Sequence, residues 1–161
     1  MKIFDCFMYF DEEIVLDIRL NMLNPVVDYF VIVESKFTHK GDKRNLKFDI
    51  NKFTEFKDKI IYLIFDEEPR DIESLLDKDV EDEKTRKLIL NAARRENSQR
   101  NFIMKGLENA NNNDLILISD VDEIPNLERL DLSKIHEKIF LFKQDMFYYK
   151  FNLKLSNFKW T

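Results

Sequence analysis

Asp114-Leu115-Ile116-Leu117-Ile118-Ser119-Asp120-Val121-Asp122-Glu123-Ile124-Pro125 is a short uncharged run that delivers the chain straight into a group of acids. A short segment apolar at every position reads as a strand. Ser119 and Pro125 bound the turn that follows it. Ligands of open α/β sheets bind beyond the carboxyl ends of the strands, so Asp120 and Asp122 are predicted to stand on a ligand-binding rim. Two carboxylates one residue apart can approach a single hard cation if the turn curls around it. Mg2+ or Mn2+ held in this way keeps other positions for water and for phosphate oxygens of a substrate. Without such a ligand the pair reads as ordinary solvated acids.

Outward from this strand, the same pattern recurs. Ile3 to Phe10, Tyr29 to Val33 and Ile60 to Phe65 are dense apolar and aromatic runs of strand length, and Ile139 to Phe142 and Phe147 to Phe151 are two later candidates. Ile14, Ile18 and Met22, with Val15 and Leu16 nearby, repeat at helical spacing up to Asn24-Pro25. Lys36 to Lys47 is polar and contains Gly41, which predicts a surface loop. Asp66 to Lys84 is rich in acids and predicts an exposed connection with at most a short helix around Ile72 to Leu76. A long helix is predicted from about Glu83 to Asn109. Strands alternating with helices imply one α/β domain over residues 1–161, with a mostly parallel Rossmann-like sheet flanked by helices.

Composition narrows the function. The 161 residues carry a net charge of −5 with the basic residues scattered along the chain, which argues against a nucleic-acid partner. Two glycines, and no Gly-rich phosphate loop pattern, argue against dinucleotide-fold and P-loop chemistry. The lone Cys6 sits among Phe4, Phe7 and Met8 and reads as a buried, inert thiol. No segment approaches the roughly 20 apolar residues of a membrane span. With no basic leader at the N-terminus, a cytoplasmic location is expected. His39 and His136 have no metal-ligand spacing and read as surface residues.

On the long helix, Ile89, Ala93, Ile103 and Leu107 form a stripe at about 100° per residue, and Glu96 and Arg100 fall inside it. Two readings stay open: an i,i+4 ion pair at the sheet surface, or a polar cleft where Arg95, Gln99 and Arg100 meet a nucleotide or phosphate. Glu34, at the end of the second strand, shares the expected rim with Asp120 and Asp122 and reads as either a ligand-binding carboxylate or a plain loop residue.

Ile3-Phe4-Asp5-Cys6-Phe7, Asp28-Tyr29-Phe30-Val31-Ile32-Val33-Glu34-Ser35 with Thr38 and Gly41, Arg95-Glu96-Asn97-Ser98-Gln99-Arg100-Asn101 and the Asp114 to Pro125 stretch together resemble glycosyltransferase family 17. The last echoes are Phe147-Tyr148-Tyr149 and Trp160-Thr161. The family is similar to the bisecting N-acetylglucosaminyltransferases, which pass N-acetylglucosamine from a UDP donor to a β-linked mannose with inversion. The resemblance therefore implies a GT-A fold, a UDP-sugar donor, a glycan or glycolipid acceptor and a divalent cation, Mn2+ or Mg2+, at Asp120 and Asp122. It gives Arg95, Glu96, Gln99 and Arg100 a purpose in donor binding.

Family members usually continue beyond the position of Trp160, so the chain is expected to lack their C-terminal portion. An inverting transfer needs a carboxylate to take the acceptor's proton, and Asp145 is the late candidate. Phe151, Leu153, Leu155 and Phe158 are expected to form a contact surface in a homo-oligomer. Two rival functions are a noncatalytic nucleotide-sugar-binding module and a magnesium-dependent phosphohydrolase using the same acids.

Overall fold

A computed structural model of the chain describes residues 1–135, 137–149 and 152–160. The elements that carry the site are β1 (Ile3–Tyr9), α1 (Glu13–Leu23), β2 (Tyr29–Ser35), β3 (Ile60–Phe65), α2 (Glu81–Asn101) and β4 (Leu115–Ile118). The four strands form one parallel sheet in the order β3-β2-β1-β4. The sequence reading of a parallel α/β sheet is met. After β3 the chain returns to the far side of β1, so strand order reverses between β1 and β4.

Side chains alternate across the sheet. On one face Phe4 and Cys6 of β1 join Val31, Val33, Phe65 and Ile103, with Phe102 and Leu107 packed against them. Burial there pushes the Cys6 thiol well above its ordinary range, as expected of an inert cysteine. The last two residues, Phe102 and Leu107, belong to a 3-10 segment, Phe102–Leu107, that continues α2. The predicted long helix thus tightens at Asn101 and ends earlier than Asn109. On the opposite face α1 lies against Asp5 and Phe7, with Leu16, Leu20 and Leu23 fully covered. Each such apolar side chain contributes about 1.5–3 kcal/mol on burial.

The helix faces differ from expectation. Ile14, Ile18 and Met22 of α1 are exposed, and the covered stripe is Leu16, Arg19, Leu20 and Leu23. On α2, Ile89 and Ala93 are likewise exposed, while Lys87, Asn91 and Gln99 are buried. The physical reason is the acidic connection before α2, which is strapped to the helix through polar contacts. Asn91 accepts from the Glu73 amide at 2.9 Å and donates to the Glu73 carbonyl at 2.8 Å, and Lys87 meets Asp79 at 2.6 Å. No helix forms at Ile72 to Leu76. Glu81, Asp82 and Glu83 suit the positive end of the α2 dipole.

The chain forms two compact units, Met1–Asp122 and Glu123–Thr161. In the second, β5 (Gln144–Phe147) pairs antiparallel with β6 (Lys154–Trp160). Ile139 to Phe142 is not a strand, and the strand read at Phe147 to Phe151 lies earlier, at β5. Its residues Lys150 and Phe151, like His136 and Thr161, fall outside the described residues. Leu153, Leu155 and Phe158 are exposed. Among the described residues no helix is long and apolar enough to cross a membrane.

Candidate functional site

A cavity of about 850 Å³ opens in the first unit. Its walls come from the end of β1 (Met8, Tyr9, Phe10), from α1 and the residues before it (Glu12, Val15), from the end of β2 and the chain after it (Ser35, Phe37, Thr38, His39, Lys40, Asp42, Arg44) and from α2 (Glu96, Gln99). Asp120, Val121 and Asp122 close it beyond β4. The cavity therefore lies outside the carboxyl ends of β1 and β4, where the strand order reverses and open α/β sheets form their ligand crevice.

Of the candidates read from the sequence, Glu96, Gln99, Asp120 and Asp122 line this space. Glu34, Arg95 and Arg100 each stand one step behind it, holding a residue that does. The Glu34 carboxylate is fully buried. It accepts from the Lys47 amide at 2.7 Å, the Phe48 amide at 3.1 Å and the Tyr62 hydroxyl at 2.7 Å, and pairs with Arg44 at 3.0 Å. Arg44 lies over the Phe10 ring, 4.1 Å from its centre, and donates to the Ser35 carbonyl at 2.9 Å. Arg95 pairs with Glu68 at 3.0 Å and donates to the His39 carbonyl at 3.2 Å. Its guanidinium fills the space beside Gly41, where an added Cβ would come within 2.6 Å of Nη2. Gly41 has φ +98°, so glycine is required there for the backbone as well as for the guanidinium. The Thr38 to Arg44 loop is thereby pinned over the cavity at both ends. His39, read as a surface residue, is exposed on this loop and faces the cavity.

Arg100 reaches from α2 to both Glu96, at 3.2 Å, and Asp120, at 2.9 Å. The ion pair expected within the helix thus extends to the acid turn. Burial works against the Arg100 charge, but its hydrogen bond to Asp120 and the neighbouring carboxylates outweigh this and raise its pKa. Gln99 is buried and donates to the Val33 carbonyl at 3.0 Å, which ties α2 to the end of β2.

Two residues that the sequence reading passed over hold the acid turn from below. Arg19 and Asp5 are fully buried and joined by two hydrogen bonds, Nε to Oδ2 at 2.8 Å and Nη2 to Oδ1 at 2.7 Å. Arg19 also donates to the carbonyls of Asp120 and Val121, at 2.7 and 3.1 Å, and to the Ser119 hydroxyl at 2.7 Å. The available signal was a charge inside the stripe Leu16, Leu20 and Leu23, together with an acid inside the apolar run of β1.

Asp145 belongs to the second unit. Lys154 holds its carboxylate at 2.8 Å, and Lys159 holds the other oxygen. The hydrogen bonds from Lys154 and then Lys159 lower its pKa, which weakens it as a proton acceptor.

Asp120 and Asp122 are the two carboxylates that the acid turn offers to a cation. Among the described residues no group of three or more His, Cys, Asp or Glu is gathered for a metal. Asp120 and Asp122 at the rim suit a hard cation that takes its remaining ligands from water and phosphate.

The sequence profile of glycosyltransferase family 17 matches residues 1–161. The chain is also similar to the human and rat proteins named beta-1,4-mannosyl-glycoprotein 4-beta-N-acetylglucosaminyltransferase. Each is 29% identical to it over 126 residues, covering 76% of this chain. The chain spans 21% of the length of these relatives. No solved structure matches it. With the profile covering the sheet, the cavity and the acid turn alike, the chain belongs to glycosyltransferase family 17.

Proposed function

We propose that the chain binds a UDP-sugar in the cavity of its first unit and serves transfer of the sugar, N-acetylglucosamine, to a hydroxyl of a glycan or glycolipid acceptor with inversion. The observation that carries this reading is the position of Asp120 and Asp122 on the cavity lip, at the reversal of strand order. The curated relatives are named for transfer of that sugar, which supports the choice of donor.

Charge makes the cation part of the proposal. Among the lining residues, the acids Glu12, Asp42, Glu96, Asp120 and Asp122 stand against Lys40 and Arg44. A diphosphate entering this field is repelled. Asp120 and Asp122 would hold Mn2+ or Mg2+, which supplies counter-charge for the diphosphate and for UDP as leaving group. Met8, Tyr9, Val15 and Phe37 give the cavity an apolar stretch of wall. Arg100 neutralises part of the acid turn when no ligand is present and offers a fixed positive charge beside it. Inversion requires a carboxylate at the acceptor hydroxyl.

A donor screen tests the reading. UDP-N-acetylglucosamine with Mn2+ and a mannose-containing acceptor should release UDP in step with a glycosylated product. Binding of the donor without turnover would instead indicate a noncatalytic donor-binding module. Release of phosphate from simple esters without acceptor would point to a phosphohydrolase.

A further inference from the structure

We propose that Arg19 is a positioning residue for the acid turn: with Asp5 fixing its guanidinium, it sets the backbone of Asp120 and Val121 so that the two aspartates face the cavity. This rests on the reading of Asp120 and Asp122 as the cation-holding pair.

The β1–β4 ladder runs out where the site begins. Its last bond is from the Ser119 amide to the Cys6 carbonyl, at 3.3 Å. Beyond it the carbonyls of Asp120 and Val121 have no strand to pair with, and buried carbonyls need a donor. Arg19 supplies one. A single nitrogen, Nη1, reaches both carbonyls, while Nη2 takes the Ser119 hydroxyl and one Asp5 oxygen, and Nε takes the other Asp5 oxygen. Two consecutive carbonyls drawn to one buried point constrain the backbone on either side of Val121. Val121 is correspondingly buried, while Asp120 and Asp122 are exposed and line the cavity.

The guanidinium itself cannot drift. It is fully buried, bound in a two-bond fork by Asp5 in mid-strand, and rests 4.6 Å from the centre of the Phe7 ring. Asp5 pairs in register with Leu117 of β4, so the anchor lies in the sheet layer directly below the turn. A fully buried ion pair is seldom the most stable way to fill a core, because apolar residues of similar volume do as well or better. The fork geometry also separates Arg from Lys, whose ammonium is a point donor on a flexible stem. A lysine at position 19 can keep the charge of Asp5 company but cannot reach its carboxylate, the Ser119 hydroxyl and two carbonyls in the same fixed arrangement.

The test uses the full chain in two variants. Arg19→Lys keeps the buried charges balanced. The double variant Asp5→Leu/Arg19→Met removes both charges together and so leaves no unpaired charge in the core, while taking the donor away from the two carbonyls. Calorimetric titration with UDP in the presence of Mn2+ is read beside melting temperature and amide hydrogen exchange across residues 119–122. We expect at least a tenfold loss of Mn2+-supported UDP affinity in a variant that still melts cooperatively, with faster exchange confined to the acid turn and β2 unchanged. Folded variants whose Mn2+-supported affinity stays within twofold of the parent would overturn the proposal. So would failure of both variants to fold, since the pair would then serve stability. Asp122→Asn is titrated alongside. If it abolishes Mn2+-supported binding while the Arg19 variants do not, only the positioning role falls. If the parent chain itself shows no Mn2+-supported UDP binding, the reading of the acid pair falls with it.

Discussion

Glu34 sits at the end of β2, where a rim carboxylate was expected, yet its oxygens are taken up by the chain itself. That arrangement bears on two phenols. Burial, and then the Glu34 charge, push Tyr9 up to about 12, and burial with the Glu34 hydrogen bond pushes Tyr62 higher still. In the unfolded chain both ionise near the ordinary value of about 10. Raised folded values mean that the stabilisation is complete below pH of about 10 and is lost as pH rises through the folded values. Tyr62→Phe should cost about 1 kcal/mol at neutral pH through the lost hydrogen bond, and should flatten the alkaline decline. Melting curves of the two proteins between pH 8 and 12 check this, and parallel declines would count against it. The end-of-strand position of Glu34 was legible. Its partners were not, because Lys47, Phe48 and Tyr62 come to it from the loop after β2 and from a neighbouring strand. Arg19 was hidden for the same reason: a charge in an apolar stripe reads as a mismatch until the acid facing it, Asp5, is known.

At the scale of elements, the 3-10 segment Phe102–Leu107 presses its backbone onto the sheet at Gly106. A Cβ there would stand 2.4 Å from Cγ1 of Val31 and 3.3 Å from Cδ1 of Leu63. Helix propensity alone favours Gly106→Ala by about 1 kcal/mol. Overpacking a filled core costs about 1–3 kcal/mol, and at 2.4 Å the clash should win. Denaturant titration should therefore show a lower midpoint, and a midpoint equal to or above the parent would contradict the close packing. The strands Ile60–Phe65 and Leu115–Ile118 were legible to the residue, because each is an unbroken apolar run of strand length bounded by polar residues, even though both stand at the sheet edges and are only partly covered. The helix faces were not. Along α1, Ile14, Ile18 and Met22 and the set Leu16, Leu20 and Leu23 both keep helical spacing, and periodicity cannot choose between two apolar stripes. On α2 the covered residues Lys87, Asn91 and Gln99 are polar, since the helix meets backbone groups at those points. β6 was missed because its apolar residues, Leu155, Phe158 and Trp160, do not keep a period of two.

Over the whole molecule, an acidic chain of net charge −5 carries a cavity in which acids outnumber bases among the charged lining residues. Membership of glycosyltransferase family 17 and the place of that cavity in the sheet both direct attention to the acid turn, and the charge balance says what the turn must do. Carboxylates alone repel a diphosphate; carboxylates with a divalent cation attract it. The sign of a mutation therefore depends on the metal. Isothermal titration of UDP into the parent chain and into Asp122→Asn, each with Mn2+ and with chelator, measures this directly. The parent should bind only with Mn2+. Asp122→Asn should lose at least tenfold in affinity with the metal present, and without metal should bind no worse than the parent, having one repelling charge fewer. Metal-independent binding of UDP that Asp122→Asn leaves unchanged would contradict the assignment of the acid turn as the donor site.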